Sequence, residues 1–151
     1  MKNSNIAQNK KAHFDYVLFD RFEAGIELKG PEVKSIRQRK VNLKDSFARI
    51  ERGEIYLYGM HISLYEQSGR FAPDPTRVRR LLLHKAEIDK LQGLTAQRGY
   101  TLVPTRLYFK KGFAKIEIAV AKGKRLFDKR ERIRRRTVER EMRRALKSRR
   151  K

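Results

Sequence analysis

Cysteine and tryptophan are absent from this chain of 151 residues, histidine occurs three times and proline four times. Without cysteine there is no disulfide, no thiolate nucleophile and no Cys-based metal site, and His13, His61 and His84 are too scattered in sequence to suggest a local ligand pair. No window approaches the ~18–20 uncharged apolar residues that would span a bilayer. The first ten residues, MKNSNIAQNK, lack an apolar stretch of the signal-peptide kind. A soluble cytoplasmic chain with no metal and no cofactor is expected. Acidic residues are scarce too, 17 Asp and Glu against 39 Lys and Arg, which disfavours the clustered carboxylates of a metal-dependent nuclease. Glu23, Glu27, Glu32 and Asp45 each have a Lys or Arg within two residues, and none is spaced to present paired carboxylates to a substrate, so surface ion pairing is their simplest role. His84 fits a helix start or a phosphate contact better than a general base. No glycine-rich phosphate loop is present. An enzyme is not expected.

What the chain has in abundance is positive charge, +22 in all. Such a charge repels itself in a free compact protein and is best neutralised by a polyanion, with release of counterions and a steep dependence on salt. Nucleic acid fits better than a membrane, because the basic stretches lack the aromatic and leucine face that an interfacial helix would bury. The charge is uneven. Residues 122–151 carry 16 basic and 4 acidic side chains; residues 1–121 carry 23 and 13. The apolar residues of this tail are too few for a core, yet Val138, Met142 and Ala145 keep helical spacing, and Glu131/Arg135 and Glu139/Arg143 form favourable i, i+4 pairs. Two readings follow: a tail disordered alone that becomes helical against RNA, favoured by the thin apolar face, and a permanently docked helix.

The rest reads as short strands. Residues 15–22 alternate as a strand, with Gly25 as a bend before Ile26 and Leu28, and residues 32–40 form a short helix behind Pro31. Residues 47–50 and 55–58 form a hairpin about a four-residue loop, and residues 61–65 another strand. Residues 66–76 form a long loop, the leucine run at 81–83 precedes a helix ending near Gly93, and residues 100–109 and 113–120 form a second hairpin. Five to seven strands with two or three short helices make the fold mainly β. A small antiparallel barrel of the oligonucleotide/oligosaccharide-binding (OB) type is expected, since closure removes exposed strand edges. Phe14, Tyr16, Tyr56, Tyr58, Tyr65, Tyr100, Tyr108 and Phe109 stand near basic residues, the composition of a base-stacking sheet. Phe19, Phe47 and Phe109 are assigned to packing, and Tyr16 is the first choice for an RNA contact.

The segments NKKAHFDY (9–16), FEAGIELKGPEVKSIR (22–37), NLKDSFARI (42–50), MHISLYEQ (60–67), DPTRVRRLLLHKAEI (74–88) and TLVPTRLYFKKGFAKIEIAVAKGKRLFDKR (101–130) resemble the SmpB family of SsrA-binding proteins, partners of transfer-messenger RNA in bacterial ribosome rescue. Two departures are visible: Pro31 stands where the family usually has Thr or Ser, and Phe14 where His is common. The resemblance implies an OB-like barrel that binds the tRNA-like domain of transfer-messenger RNA and replaces its missing anticodon arm. It also implies a tail that enters the decoding centre and the vacant messenger channel as a helix.

Carried onto this chain, the RNA-facing residues are Lys10, Lys11, Tyr16, Glu32, Lys34, Lys122, Gly123, Lys124 and Arg125. Glu32 either accepts from a base amino group or is simply an acid at a helix N-terminus. The ribosome-facing tail residues are Asp128, Lys129, Arg130, Arg134, Arg136, Arg140 and Arg144, with Ile133, Val138 and Met142 as the apolar face. Residues 1–8 are expected to be flexible, 9–125 to form the RNA-binding body and 126–151 the basic tail, in a monomer whose partners are transfer-messenger RNA and ribosomal RNA, with no membrane. A ribosomal protein held permanently on ribosomal RNA is the main rival, and would accompany translating ribosomes as well as stalled ones.

Overall fold

The computed structural model describes residues 4–124 and 140–144. In chain order the elements are β1 (Ser4–Gln8), α1 (Lys10–Asp15), β2 (Tyr16–Ile26), α2 (Gly30–Arg37), β3 (Val41–Asn42), β4 (Phe47–Glu51) and β5 (Glu54–Tyr58). They continue with β6 (His61–Ile62), a 3-10 turn (Glu66–Phe71), β7 (Arg79–Leu82), α3 (Lys85–Thr95), β8 (Tyr100–Lys110) and β9 (Phe113–Gly123). The large sheet runs β1-β8-β4-β5-β7-β2-β9, and β9 pairs back onto β8, closing an antiparallel ring. β8 is long enough to hold β9 along one edge while the other takes β4 at Leu102 and β1 from Arg106 to Phe109. Both expected hairpins are present, each on a tighter turn than read. Arg52–Gly53 and Lys111–Gly112 have positive φ at both positions (52° and 77°, 51° and 80°), the geometry of two-residue turns whose twist matches the strands.

Inside the ring, Ile55, Leu57, Leu81, Leu107, Ile116 and Ile118 are fully buried, and α2 and α3 add Ile36, Ile88 and Leu91 to the same core. A bulge in β2 between Leu18 and Arg21 shifts its register against β9. Beyond it Phe22, Ala24 and Ile26 turn to the main core, whereas Tyr16 and Leu18 pack with Ala12, Val103 and Ala121 in a small second cluster beside α1.

Several sequence expectations are corrected. Ser4–Gln8, read as part of a flexible lead-in, is a strand on β8. Residues 10–15 are helical before β2 begins, with Asn9 as the cap. β2 continues through Gly25 without a bend; a Cβ there would sit 3.2 Å from Leu82 Cβ, so glycine permits the close crossing of β2 and β7. The strand at 61–65 shrinks to His61–Ile62, paired with the unforeseen β3, and part of the 66–76 loop is the 3-10 turn. Phe19, assigned to packing, is 45% exposed.

Candidate nucleic-acid interface

Two ends of the folded body meet at one corner. Tyr16, the first residue of β2, lies opposite Gly123, the last of β9, and Lys122 stands between Val17 of β2 and Tyr100 of β8. The Lys124 backbone N–H donates to the Asp15 carbonyl at 3.0 Å, tying the exit of β9 to the end of α1. The helix is anchored by Asn9, whose Oδ1 accepts from the Ala12 N–H while its Nδ2 donates to the carbonyls of Leu43 and Pro104.

The corner interleaves rings and cations. The Lys124 ammonium lies 5.9 Å from the centroid of Phe14, which is 71% exposed. The Lys122 ammonium lies 5.2 Å from the Tyr100 ring, and Phe19 approaches the same ring at 5.7 Å. Lys10 is exposed, and Lys11 pairs with Asp45 at 2.7 Å, an ion pair open to water at both ends. Rings that face solvent under a lysine offer stacking surface and phosphate neutralisation in one place. The structure therefore brings together Lys11, Tyr16, Lys122, Gly123 and Lys124 of the sequence-read residues, leaves Lys10 exposed at the far end of α1, and adds Phe14, Phe19 and Tyr100. Phe19 was missed because alternation alone gives both faces of β2 some burial, and only the bulge decides which face looks outward.

Glu32 and Lys34 belong elsewhere. Lys34 is exposed on α2 with its ammonium 5.2 Å from the Tyr65 ring. Glu32 is buried, and its carboxylate is already occupied: Oε1 accepts from the Lys29 N–H at 2.9 Å and Arg77 Nη2 at 2.6 Å, and Oε2 accepts from Arg79 Nε at 2.6 Å. Arg79, with no exposed surface, also donates to the carbonyls of Met60 and Pro75. Of the two roles open to Glu32, accepting from an RNA base is set aside, because its oxygens are spent on a buried ionic knot that holds α2 to β7. Arg125 and residues 128–139, with Asp128, Lys129, Arg130, Ile133, Arg134, Arg136 and Val138, lie outside the described residues. Residues 140–144 are helical and exposed, including Arg140, Arg144 and Met142, the last 63% exposed.

The buried carboxylates impose a pH dependence. Burial pushes the Glu32 carboxyl up, but the hydrogen bonds from Arg77, the Lys29 backbone and Arg79 outweigh it and hold the group below the usual carboxylate range. Glu117, flanked by Arg106 and Arg21, is lowered on the same balance. A carboxyl with a depressed folded-state pKa contributes stability that is complete above its unfolded value, ~4.3 for Glu, and is lost as pH falls through the folded value. The urea midpoint should hold steady from neutrality to about pH 5 and drop below about pH 4. Glu117→Gln should lower the neutral midpoint and flatten part of that drop.

Comparison with known proteins agrees with this geometry. The chain matches the family described as SmpB protein over residues 6–148. It is 58% identical over 146 residues to the SsrA-binding protein of Geobacillus kaustophilus (strain HTA426), covering 97% of this chain and 94% of that one. It is 61% identical over 137 residues to the SsrA-binding protein of Caldanaerobacter subterraneus subsp. tengcongensis, covering 91% and 87%. A solved chain from work described as "tmRNA-SmpB: a journey to the center of the bacterial ribosome" superposes with a TM-score of 0.69 at 46% identity, over 85% of this chain and 94% of that chain. A closed antiparallel barrel, a family match over residues 6–148 and 58–61% identity to named relatives over most of the chain converge on one assignment: this chain belongs to the SmpB family.

Proposed function

We infer that this chain binds the tRNA-like domain of transfer-messenger RNA and delivers it to stalled ribosomes for trans-translation. Its relatives are SsrA-binding proteins, and its solved neighbour is described as SmpB with transfer-messenger RNA in the bacterial ribosome. The observation that carries the reading is the corner where Lys122 and Lys124 lie over Tyr100 and Phe14. Lys10, Lys122 and Lys124 neutralise phosphates, and bases stack on Phe14, Tyr16, Phe19 and Tyr100. Among the described residues, its chain neighbours aside, a Cβ at Gly123 would meet no atom within 4 Å, so the bare backbone leaves room for RNA rather than for packing. Lys34 offers a further phosphate contact on α2. Binding rather than acid–base chemistry also suits the carboxylates, since Glu23, Glu32 and Glu117 are all committed to cations.

In this reading the monomeric body, residues 9–125, stands in for the missing anticodon arm, and residues 126–151 enter the decoding centre and the empty messenger channel. Arg125 joins Lys122 and Lys124 on the transfer-messenger RNA side, whereas Asp128, Lys129, Arg130, Arg134, Arg136, Arg140 and Arg144 face ribosomal RNA in the channel, and Ile133, Val138 and Met142 supply the apolar stripe. The cytoplasm, where ribosomes stall, is the place of action. The test is a gel-shift titration of the full chain against the tRNA-like domain, with ordinary tRNA and a ribosomal RNA fragment as competitors, at ~150 mM salt. Preference for the tRNA-like domain is expected, with Lys122→Ala reducing the log–log salt slope by about one. Indifference among the three RNAs would turn the reading toward a ribosomal protein.

A further inference from the structure

A cleft of about 300 Å³ opens beside the corner, between α1 and the turn at residues 43–46. That is about ten times a water molecule's share of liquid volume, ~30 Å³. Lys11, Asp15, Tyr16, Asp45, Phe47 and Thr101 line it. We propose that this cleft is a base-reading pocket that takes one unstacked guanine of the bound RNA. The proposal rests on the RNA-binding reading of the corner and specifies what one part of it reads.

Carboxylates in so cationic a protein carry the argument. Asp15 and Asp45 would repel a phosphate entering the cleft, yet both are acceptors for a base. Among the described residues the Asp15 carboxylate has no hydrogen-bond partner, although the residue is half-buried, and Asp45 gives only Oδ1 to Lys11. A carboxylate offers two acceptors side by side. Guanine presents two adjacent donors on its Watson–Crick edge, the ring N1–H and the 2-amino group, whereas adenine and cytosine each present an amino group alone and uracil a ring N–H alone.

The walls are built to stay in place. Phe47 stacks on Tyr58 at 5.3 Å with the rings 10° from parallel, and the Arg49 guanidinium lies 5.6 Å from each ring, so the aromatic wall is braced from behind. Asp45 holds a left-handed φ of 62°, a conformation that costs a non-glycine residue energy and that aspartate tolerates better than most. The crossing at Gly59 fixes it: the Asp45 carbonyl lies 3.1 Å from where a Gly59 Cβ would stand. The Lys11–Asp45 pair lies at the cleft, half exposed, and holds the Asp45 carboxylate at its mouth through Oδ1 alone.

Two variants and one small probe test this. Asp45→Asn keeps the backbone conformation but breaks the paired acceptors, and Thr101→Phe fills the cleft without changing charge. Both are expected to weaken binding of the tRNA-like domain by about tenfold while leaving the log–log salt slope at the wild-type value, because no phosphate contact is lost. Guanosine monophosphate at millimolar concentration is expected to shift the backbone amide resonances of Ser46 and Thr101 in the wild-type chain, with the adenosine, cytidine and uridine nucleotides shifting them less. Wild-type affinity in both variants, a weakened binding that comes with a changed slope, or equal shifts from all four nucleotides would each overturn the pocket. Failure of the wild-type chain to prefer the tRNA-like domain would instead strike the parent reading, and the nucleotide titration would still decide the pocket.

Discussion

Replacing Glu32 by alanine should remove about 3–5 kcal/mol of stability, the range found when one partner of a buried ion pair is deleted and the other charge stays behind. Arg79 would keep its bonds to the Met60 and Pro75 carbonyls but face no anion in a site with no exposed surface. Arg77 makes the loss worse: it is largely buried, its Nε already lacks a partner among the described residues, and it pairs with Glu32 at 2.6 Å. Against the ~5–15 kcal/mol of a typical domain this is a large share, and the urea midpoint should show it directly. Glu32→Leu combined with Arg79→Met should cost less than Glu32→Ala alone, because the fully buried charge is removed with its partner and only the partly exposed Arg77 is left without its carboxylate. RNA affinity per folded molecule should hardly change in Glu32→Ala if the residue is architectural. A loss of RNA binding at full stability would restore Glu32 to the interface.

Truncation after Arg125 should leave binding to the tRNA-like domain close to wild type and abolish tagging on stalled ribosomes. The deletion removes 13 basic and 4 acidic residues, yet 26 basic and 13 acidic remain in the body. The lysines over Tyr100 and Phe14 precede the cut, so the corner is left whole. Peptide tagging in a reconstituted stalled-translation reaction, measured beside the gel shift, separates the two roles. Parallel loss of both activities would refute the division of labour between body and tail.

The hairpins were legible because their signals are local: an Arg-Gly or Lys-Gly turn between alternating apolar runs specifies two strands at once. β1 was not, because SNIAQ has almost no apolar periodicity and becomes a strand only through β8 beside it. Gly25 misled for a similar reason: its local meaning is a bend, and its actual cause is the Leu82 side chain on another strand. At the site, charge pointed to the lysines, and the resemblance chose among them. Neither could tell that Phe19 looks out, that Glu32 is knotted to Arg77 and Arg79, or that Asp15 and Asp45 share a cleft, since each depends on segments distant in sequence.

The pairing of Tyr16 with Gly123 has a consequence for biosynthesis. One half of the RNA surface is translated early and the other only after the last strand, so a nascent or prematurely ended chain owns lysines and rings but no corner. Long-range strand pairing of this kind also forms late and slowly. On the proposed function, a chain cut short before the end of β9 is unable to hold its RNA, and ligand binding doubles as proof of a finished fold.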